Sequence, residues 1–339
     1  MKTKFQHFRL SAQVFFALLC IVIGVEFARW VRAMESQDAI IPTRPPSVEA
    51  FLPISSLMNA WHWLRSGEIQ MYHPAGVFIF LGIVVGSFAL GKFFCSWMCP
   101  VGFMSEILWK ARSKLITTRA APIPRWLDFI LRSFKYILLS FFVFAIFFML
   151  DAQGLRDFLE SPYNLAADAK MYDFFANISV FAFTVIVALV LTSLFVRNAW
   201  CRFLCPYGAL LGVVGLLSPN KIKRDPVSCI NCEKCSRVCP AGIDVHLVDV
   251  VKSDECSSCL ECVSTCPAKG ALGLKLIGRK KALPWKWIPV VALSIYSAFI
   301  LWGVMSKRWN NKVDPVLYKS VIQQRSTLGH PGETGRFAK

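Results

Sequence analysis

Five stretches of the chain are long and apolar enough to cross a bilayer as helices: residues 11–31, 76–94, 126–150, 174–196 and 287–305. A hydrocarbon core of about 30 Å needs roughly 20 mostly apolar residues. A sixth apolar run, 207–218, is too short, and reads as an interfacial or re-entrant helix of the kind tolerated where protein covers its backbone. The first stretch follows Lys2, Lys4 and Arg9, as a signal peptide would. It runs too long and no small-residue cleavage site follows, so it reads as an uncleaved first helix. The pattern predicts an α-helical integral membrane protein with about five transmembrane helices and a polar insertion ahead of the last.

Composition agrees, since 55% of the 339 residues are hydrophobic. The net charge of +17 would raise the question of nucleic acid in a soluble protein, but here its distribution decides. The loop 92–125 carries Lys92, Lys110, Arg112, Lys114, Arg119 and Arg125 against Glu106 alone, whereas 151–173 carries Arg156 and Lys170 against five acids. Cytoplasmic loops hold the excess of Lys and Arg. The first loop is therefore expected in the cytoplasm of a bacterial inner-membrane protein and the second in the periplasm, with the N-terminus and 197–286 inside. The expected partners are membrane lipid and other redox proteins, and no nucleic acid. Five crossings put the tail 306–339 outside although it has seven basic residues and two acids.

Of thirteen cysteines, eight fall in two copies of C-x2-C-x2-C-x3-C-P: Cys229, Cys232, Cys235, Cys239 with Pro240, and Cys256, Cys259, Cys262, Cys266 with Pro267. In bacterial two-cluster ferredoxins the fourth cysteine of each run ligates the other cluster. Two 4Fe-4S clusters are therefore expected, one on Cys229, Cys232, Cys235 and Cys266, the other on Cys256, Cys259, Cys262 and Cys239. C-x2-C pairs also build zinc sites, but the full run with its proline, present twice, favours clusters. Residues 219–282 should form an inserted ferredoxin-like α+β domain, in a reducing compartment where thiolates stay free to bind iron.

Four more cysteines form a second repeat. Cys95 and Cys99, with Pro100 and Gly102, follow the second apolar stretch. Cys201 and Cys205, with Pro206 and Gly208, follow the fourth. Both copies of C-x3-C-P-x-G end on the expected cytoplasmic face, which makes them parallel repeats about an axis along the membrane normal. Proline favours the first turn of a helix, so Cys99 and Cys205 are expected at helix N-caps, where the dipole favours thiolate. Four soft ligands would suit iron or an iron-sulfur centre. Thiol redox chemistry and plain packing remain the other readings. Cys20, alone in the first helix, reads as packing.

Two C-x3-C-P motifs in a membrane domain followed by a two-cluster ferredoxin resemble the NapH-type membrane quinol dehydrogenase components and the membrane half of NosR-type proteins. Arg44-Pro45-Pro46, Ala50-Phe51-Leu52-Pro53, His73-Pro74-Ala75-Gly76 and Phe94 to Gly102 carry the likeness, over residues 1 to about 280. The resemblance implies electron transfer from the quinone pool to periplasmic or membrane redox partner subunits. The helix after the ferredoxin resembles instead accessory proteins of the FixG/CcoG type, implicated in copper handling, although their periplasmic immunoglobulin-like domain does not fit into 34 residues. The function expected is therefore quinone-linked electron transfer, with copper or thiol reduction for a client enzyme, or redox sensing, as alternatives.

The chain lacks C-x-x-C-H for a c-type haem, a facing histidine pair for a b haem and a G-x-G-x-x-G dinucleotide fingerprint. Phe51 to Arg65 is amphipathic with Trp61 and Trp63 suited to the interface. There His62 and His73 are candidates to take protons from a quinol. The domain reading is 1–218 membrane, 219–282 ferredoxin-like, 283–305 last span and 306–339 an external tail. The tail is too polar and short to bury a core, and is expected to be disordered unless a partner orders it.

Overall fold

The structure is a computed structural model that describes residues 2–36, 41–115, 124–268, 270–279, 281–284 and 286–329. Arg119 of the basic loop and the tail from His330 onward lie outside the described residues. In chain order the helices are α1 (Lys2–Glu35), α2 (Pro53–Ser66), α3 (Pro74–Leu90), α4 (Phe94–Trp97), α5 (Pro100–Leu115) and α6 (Arg125–Phe144). After α6 comes a π-helical turn, Ala145–Met149. Next are α7 (Ala152–Leu159), α8 (Pro162–Leu165), α9 (Ala167–Ala176), α10 (Val180–Phe195), α11 (Ala199–Phe203) and α12 (Pro206–Leu216). The insertion holds β1 (Asn220–Arg224), α13 (Lys234–Arg237), α14 (Glu261–Thr265) and β2 (Leu272–Leu276), and α15 (Trp287–Met305) and α16 (Pro315–Gln323) complete the chain.

Among the described residues three helices are long and apolar enough to span a membrane: Lys4–Glu35, Trp126–Met149 and Trp287–Met305. Their apolar residues are largely exposed, as on Phe129, Ile137 and Phe141 of α6. Side chains left exposed along a whole apolar helix find their apolar surroundings in lipid. The other two expected stretches are cut short for local reasons. The stretch 76–94 ends as the 17-residue α3 because Gly91 takes a left-handed backbone (φ +77) and stops the helix. The stretch 174–196 is broken into α9 and α10, bent by 79°, and the pair passes as one span only together. Ser179 makes the break, since its hydroxyl accepts from the Ala182 amide and caps α10.

The chain divides into two compact units. The first is Met1–Leu18, Ile83–Leu139 and Thr184–Ile295, and contains all twelve candidate ligand cysteines. Its insertion is built on an antiparallel pair in which Ile222 opposite Leu274 is buried. The second unit is Leu19–Gly82, Ser140–Phe183 and Tyr296–Lys339. There α2 starts at Pro53 in its first turn and stops at Gly67 (φ +76), the proline and glycine punctuation expected of a helix.

The tail departs from expectation. Asp314 caps α16 by accepting from the Val316 amide at 2.7 Å, and Tyr318, Val321 and Ile322 turn into a core with Phe27, Trp30, Val31 and Leu165. Arg325 pairs with Asp173 at 2.6 Å and with Glu35, and the Lys170 ammonium reaches the Leu328 carbonyl at 2.8 Å. The segment through residue 329 is thus ordered on the chain's own residues. A tail too short for its own core needs only to complete one that other elements supply. The same pairings absorb part of its excess positive charge.

Candidate iron-sulfur centres

The two cysteine runs of the insertion repeat one backbone pattern. Asn231 and Glu233 are left-handed (φ +51 and +58), and so are Ser258 and Leu260 (φ +50 and +55), in each run the second and fourth residues after the first cysteine. Left-handed residues cost on the order of 1–3 kcal/mol each when they are not glycine. Left-handed residues set within a turn are the means by which a backbone forms the amide-lined concavities that hold anions and iron-sulfur groups. The backbone therefore fits a cluster in each half.

The thiols influence one another across the two runs. Cys262 is pushed well up by burial and then by the charges of Cys259, Cys256 and Cys239. Cys266 is raised by burial and by Cys235, Cys232 and Cys229. The fourth cysteine of each run thus stands among the first three of the other. Among the described residues no three His, Cys, Asp or Glu side chains are grouped tightly enough for one metal ion. The donor set fits a cubane, which spreads four thiolates over four corners and stores one electron at a time when bound.

The C-x3-C-P motifs fold alike. In each, the second cysteine's amide donates to the carbonyl five residues earlier, Cys99 to Phe94 and Cys205 to Trp200, both at 3.0 Å. Each second cysteine's carbonyl opens the following helix, accepting from Phe103 or Ala209 at 3.1 Å. At Cys205 the sulfur also accepts from the Gly208 amide at 3.2 Å, an N-cap. The glycines are steric: a Cβ at Gly102 would stand 2.1 Å from the Cys95 carbonyl oxygen, and one at Gly208 3.3 Å from that of Cys201.

Burial governs the first cysteine of each pair. Cys95 is pushed up to about 12 by burial, against the pull of Lys92, with Cys99 and Cys205 adding to the rise. Cys201 is raised well above its ordinary value by burial and by Cys99, Cys95 and Cys205. The four sulfurs therefore share one neighbourhood. Deprotonating Cys95 and Cys201 needs a positive charge at the site, and a bound metal centre is one such charge.

The first motif grips the second cysteine run. Ser96 Oγ donates to the Ser257 carbonyl at 2.6 Å, and Trp97 Nε1 to the Ser258 carbonyl at 3.2 Å. Arg9 binds Glu106 through two bonds of 2.9 and 2.6 Å and donates to the Ser96 carbonyl at 3.2 Å. Arg197 joins Glu261 at 2.7 Å and the Val238 carbonyl at 2.9 Å. On the other flank Lys135 meets Glu255, Arg132 meets Asp254 at 2.9 Å, and Tyr136 donates to Asp254. Burial acts to raise Asp254, but Tyr136, Arg132 and Lys135 outweigh it and hold its carboxyl at about 2. A cleft lined by Cys95, Cys201 and Cys259 lies within this docked region.

Sequence reasoning did not assign these docking groups. Lys135, wholly buried within an expected span, carried a usable signal, because an ionisable residue inside a membrane segment calls for a partner. Of the two candidate histidines, His73 lies in a buried network. His73 is buried, its Nε2 is 2.7 Å from the Asn164 carbonyl and its Nδ1 is 3.2 Å from Arg44 Nη2. Arg44 in turn binds Asp168 at 2.6 Å and Glu49 at 2.7 Å. The His73 ring serves this buried network with both nitrogens. Those contacts occupy the nitrogens that a quinol proton would need.

Apolar spans, cysteine-rich turns and a ferredoxin-type insertion define a membrane iron-sulfur electron transport protein. A family model for a 4Fe-4S binding domain matches twice, at residues 72–119 and 178–225, and a 4Fe-4S dicluster model matches 221–267. The Escherichia coli K12 protein YccM, provisionally named for electron transport, is 39% identical over 328 residues, 95% of this chain and 91% of the relative. The E. coli ferredoxin-type protein NapH is 24% identical over 74% of this chain and 83% of its own length. The methylamine utilization ferredoxin-type protein MauN of Methylorubrum extorquens is 28% identical over 56% and 61%. The chain belongs to this NapH-like family of ferredoxin-type electron transport proteins. No solved structure matches it.

Proposed function

We propose that the chain passes electrons between the quinone pool of the bacterial inner membrane and a partner redox enzyme. The observation that carries this reading is the grip of Ser96 and Trp97 on the loop between Cys256 and Cys259. It sets a group of four membrane-side cysteines directly against one ferredoxin half. Cys239, Cys256, Cys259 and Cys262 would hold the cluster of that half, and Cys229, Cys232, Cys235 and Cys266 the other. Cys95, Cys99, Cys201 and Cys205 would hold a further iron or iron-sulfur centre, and the two family-model matches over these motifs support it.

The positive-inside rule places the ferredoxin insertion in the cytoplasm and the loop 151–173 in the periplasm. The pairing of Arg325 with Asp173 supports a periplasmic tail. With His73 committed to Arg44 and Asn164, the quinol-side proton acceptor is assigned to His62 on α2. Burial, then Arg156, lowers its pKa, so it stands neutral near pH 7 and able to take a proton.

The test is redox exchange in nanodiscs. A quinol analogue should reduce the clusters, and excess quinone should oxidise them, at catalytic rates. If neither exchanges but copper(II) is reduced, assembly-linked metal reduction replaces this reading.

A further inference from the structure

The two cysteine runs are alike in sequence and backbone, yet they stand in opposite surroundings. Of residues 226–237, eight of twelve are exposed, whereas none of residues 253–266 is. The second run is covered by the chain itself, through Ser96, Trp97, Arg132 and Lys135. The first run presents Val227, 96% exposed, and Ile230, 65% exposed, on either side of Cys229. Soluble surfaces scatter single apolar residues, but two β-branched side chains bracketing a candidate ligand form an apolar centre that water covers at a cost.

Its rim is basic. Over residues 221–237 the chain has Lys221, Lys223, Arg224, Lys234 and Arg237 against Asp225 and Glu233. Lys234 is exposed, and the Arg237 side chain, 70% exposed, pairs with Glu233 at the surface at 3.1 Å. Exposed pairs of this kind are worth at most about 1 kcal/mol and yield readily to a better partner.

We infer that the exposed face around Val227, Ile230, Lys234 and Arg237 is the docking surface for a soluble, acidic one-electron carrier protein. An apolar centre with a net-positive rim gives electrostatic steering and fast release, which suit a transient partner. The covered second run leaves no such approach. This inference rests on the reading of the insertion as a two-cluster ferredoxin, and iron and sulfide are therefore measured separately in each variant.

The experiment uses the full chain in nanodiscs of zwitterionic lipid, so that anionic headgroups do not compete, and a plant-type ferredoxin as the acidic probe. Horse cytochrome c serves as a basic control, and binding is read as Kd against salt. The ferredoxin should bind at low salt and weaken as salt rises, and K234E/R237E and V227S/I230S should each raise Kd at least fivefold with iron content unchanged. Lys252→Glu, also exposed but outside the face, should change Kd less than twofold. No binding by the native chain, a smaller effect of either double variant, an equal effect of Lys252→Glu, or equal binding of cytochrome c overturns the surface. Native iron far below two clusters overturns the ferredoxin reading instead.

Discussion

Trp97 Nε1 donates to the carbonyl of Ser258 across 161 residues of sequence, tying the first C-x3-C turn to the loop between two candidate cluster ligands. Phe5 packs against the same indole with ring centroids 5.7 Å apart. Replacing Trp97 with Phe keeps much of the packing and removes the donor, which leaves a buried carbonyl short of a partner. A loss of about 1–3 kcal/mol is expected. It should appear as faster protease cleavage within 219–282 while total iron is retained.

The glycines of the two C-x3-C-P-x-G motifs should respond unequally. Gly102→Ala drives a methyl to 2.1 Å from the Cys95 oxygen, so the backbone must move, whereas Gly208→Ala meets its nearest atom at 3.3 Å. Iron beyond that of two clusters should be lost in Gly102→Ala and largely kept in Gly208→Ala. Equal loss in both would show that the contact at Gly102 is not what fixes that turn.

Crossed ligation predicts which cluster each fourth cysteine serves. Cys239→Ser should damage the cluster of the second run, and Cys266→Ser that of the first, seen as loss of different signals in electron paramagnetic resonance. Loss confined to the run that carries the substitution would mean that each run ligates its own cluster.

The Arg44 network should be costly to open. Asp168 and Glu49 are fully buried around the guanidinium, and Tyr318 from the tail lies within its electrostatic reach. Arg44→Met leaves two carboxylates without a counter-charge, a loss of about 3–5 kcal/mol. Arg44→Lys should rescue little, because an ammonium cannot reproduce the planar fork. Thermal unfolding in detergent would measure both.

Deleting residues 312–339 should lower stability. The deletion removes Tyr318, Val321 and Ile322 from a core and leaves Asp173 and Glu35 without Arg325. Ile322→Ala alone should cost about 2–5 kcal/mol. An unchanged melting temperature in both would reduce the tail to a passive extension.

The local signals in the sequence are those set by one segment alone. Apolar length determines α1, α6 and α15 as membrane spans, and the spacing of Cys229 to Cys239 and Cys256 to Cys266 determines a ferredoxin-type 4Fe-4S insertion, because ligand geometry dictates spacing. Pro53 and Gly67 likewise mark the ends of α2. Other features depend on what comes near from elsewhere in the chain. Nothing in the polar tail announces that Tyr318 and Ile322 complete a core with Trp30 and Leu165, since burial belongs to the assembly of elements and not to any one. The two cysteine runs read alike, and only packing against Ser96, Trp97 and Lys135 covers one and leaves the other to solvent. His73 looked available as an isolated ionisable residue near the interface. Tertiary structure committed it, because a buried Arg44 between Asp168 and Glu49 needs every neighbouring polar atom to offset its desolvation.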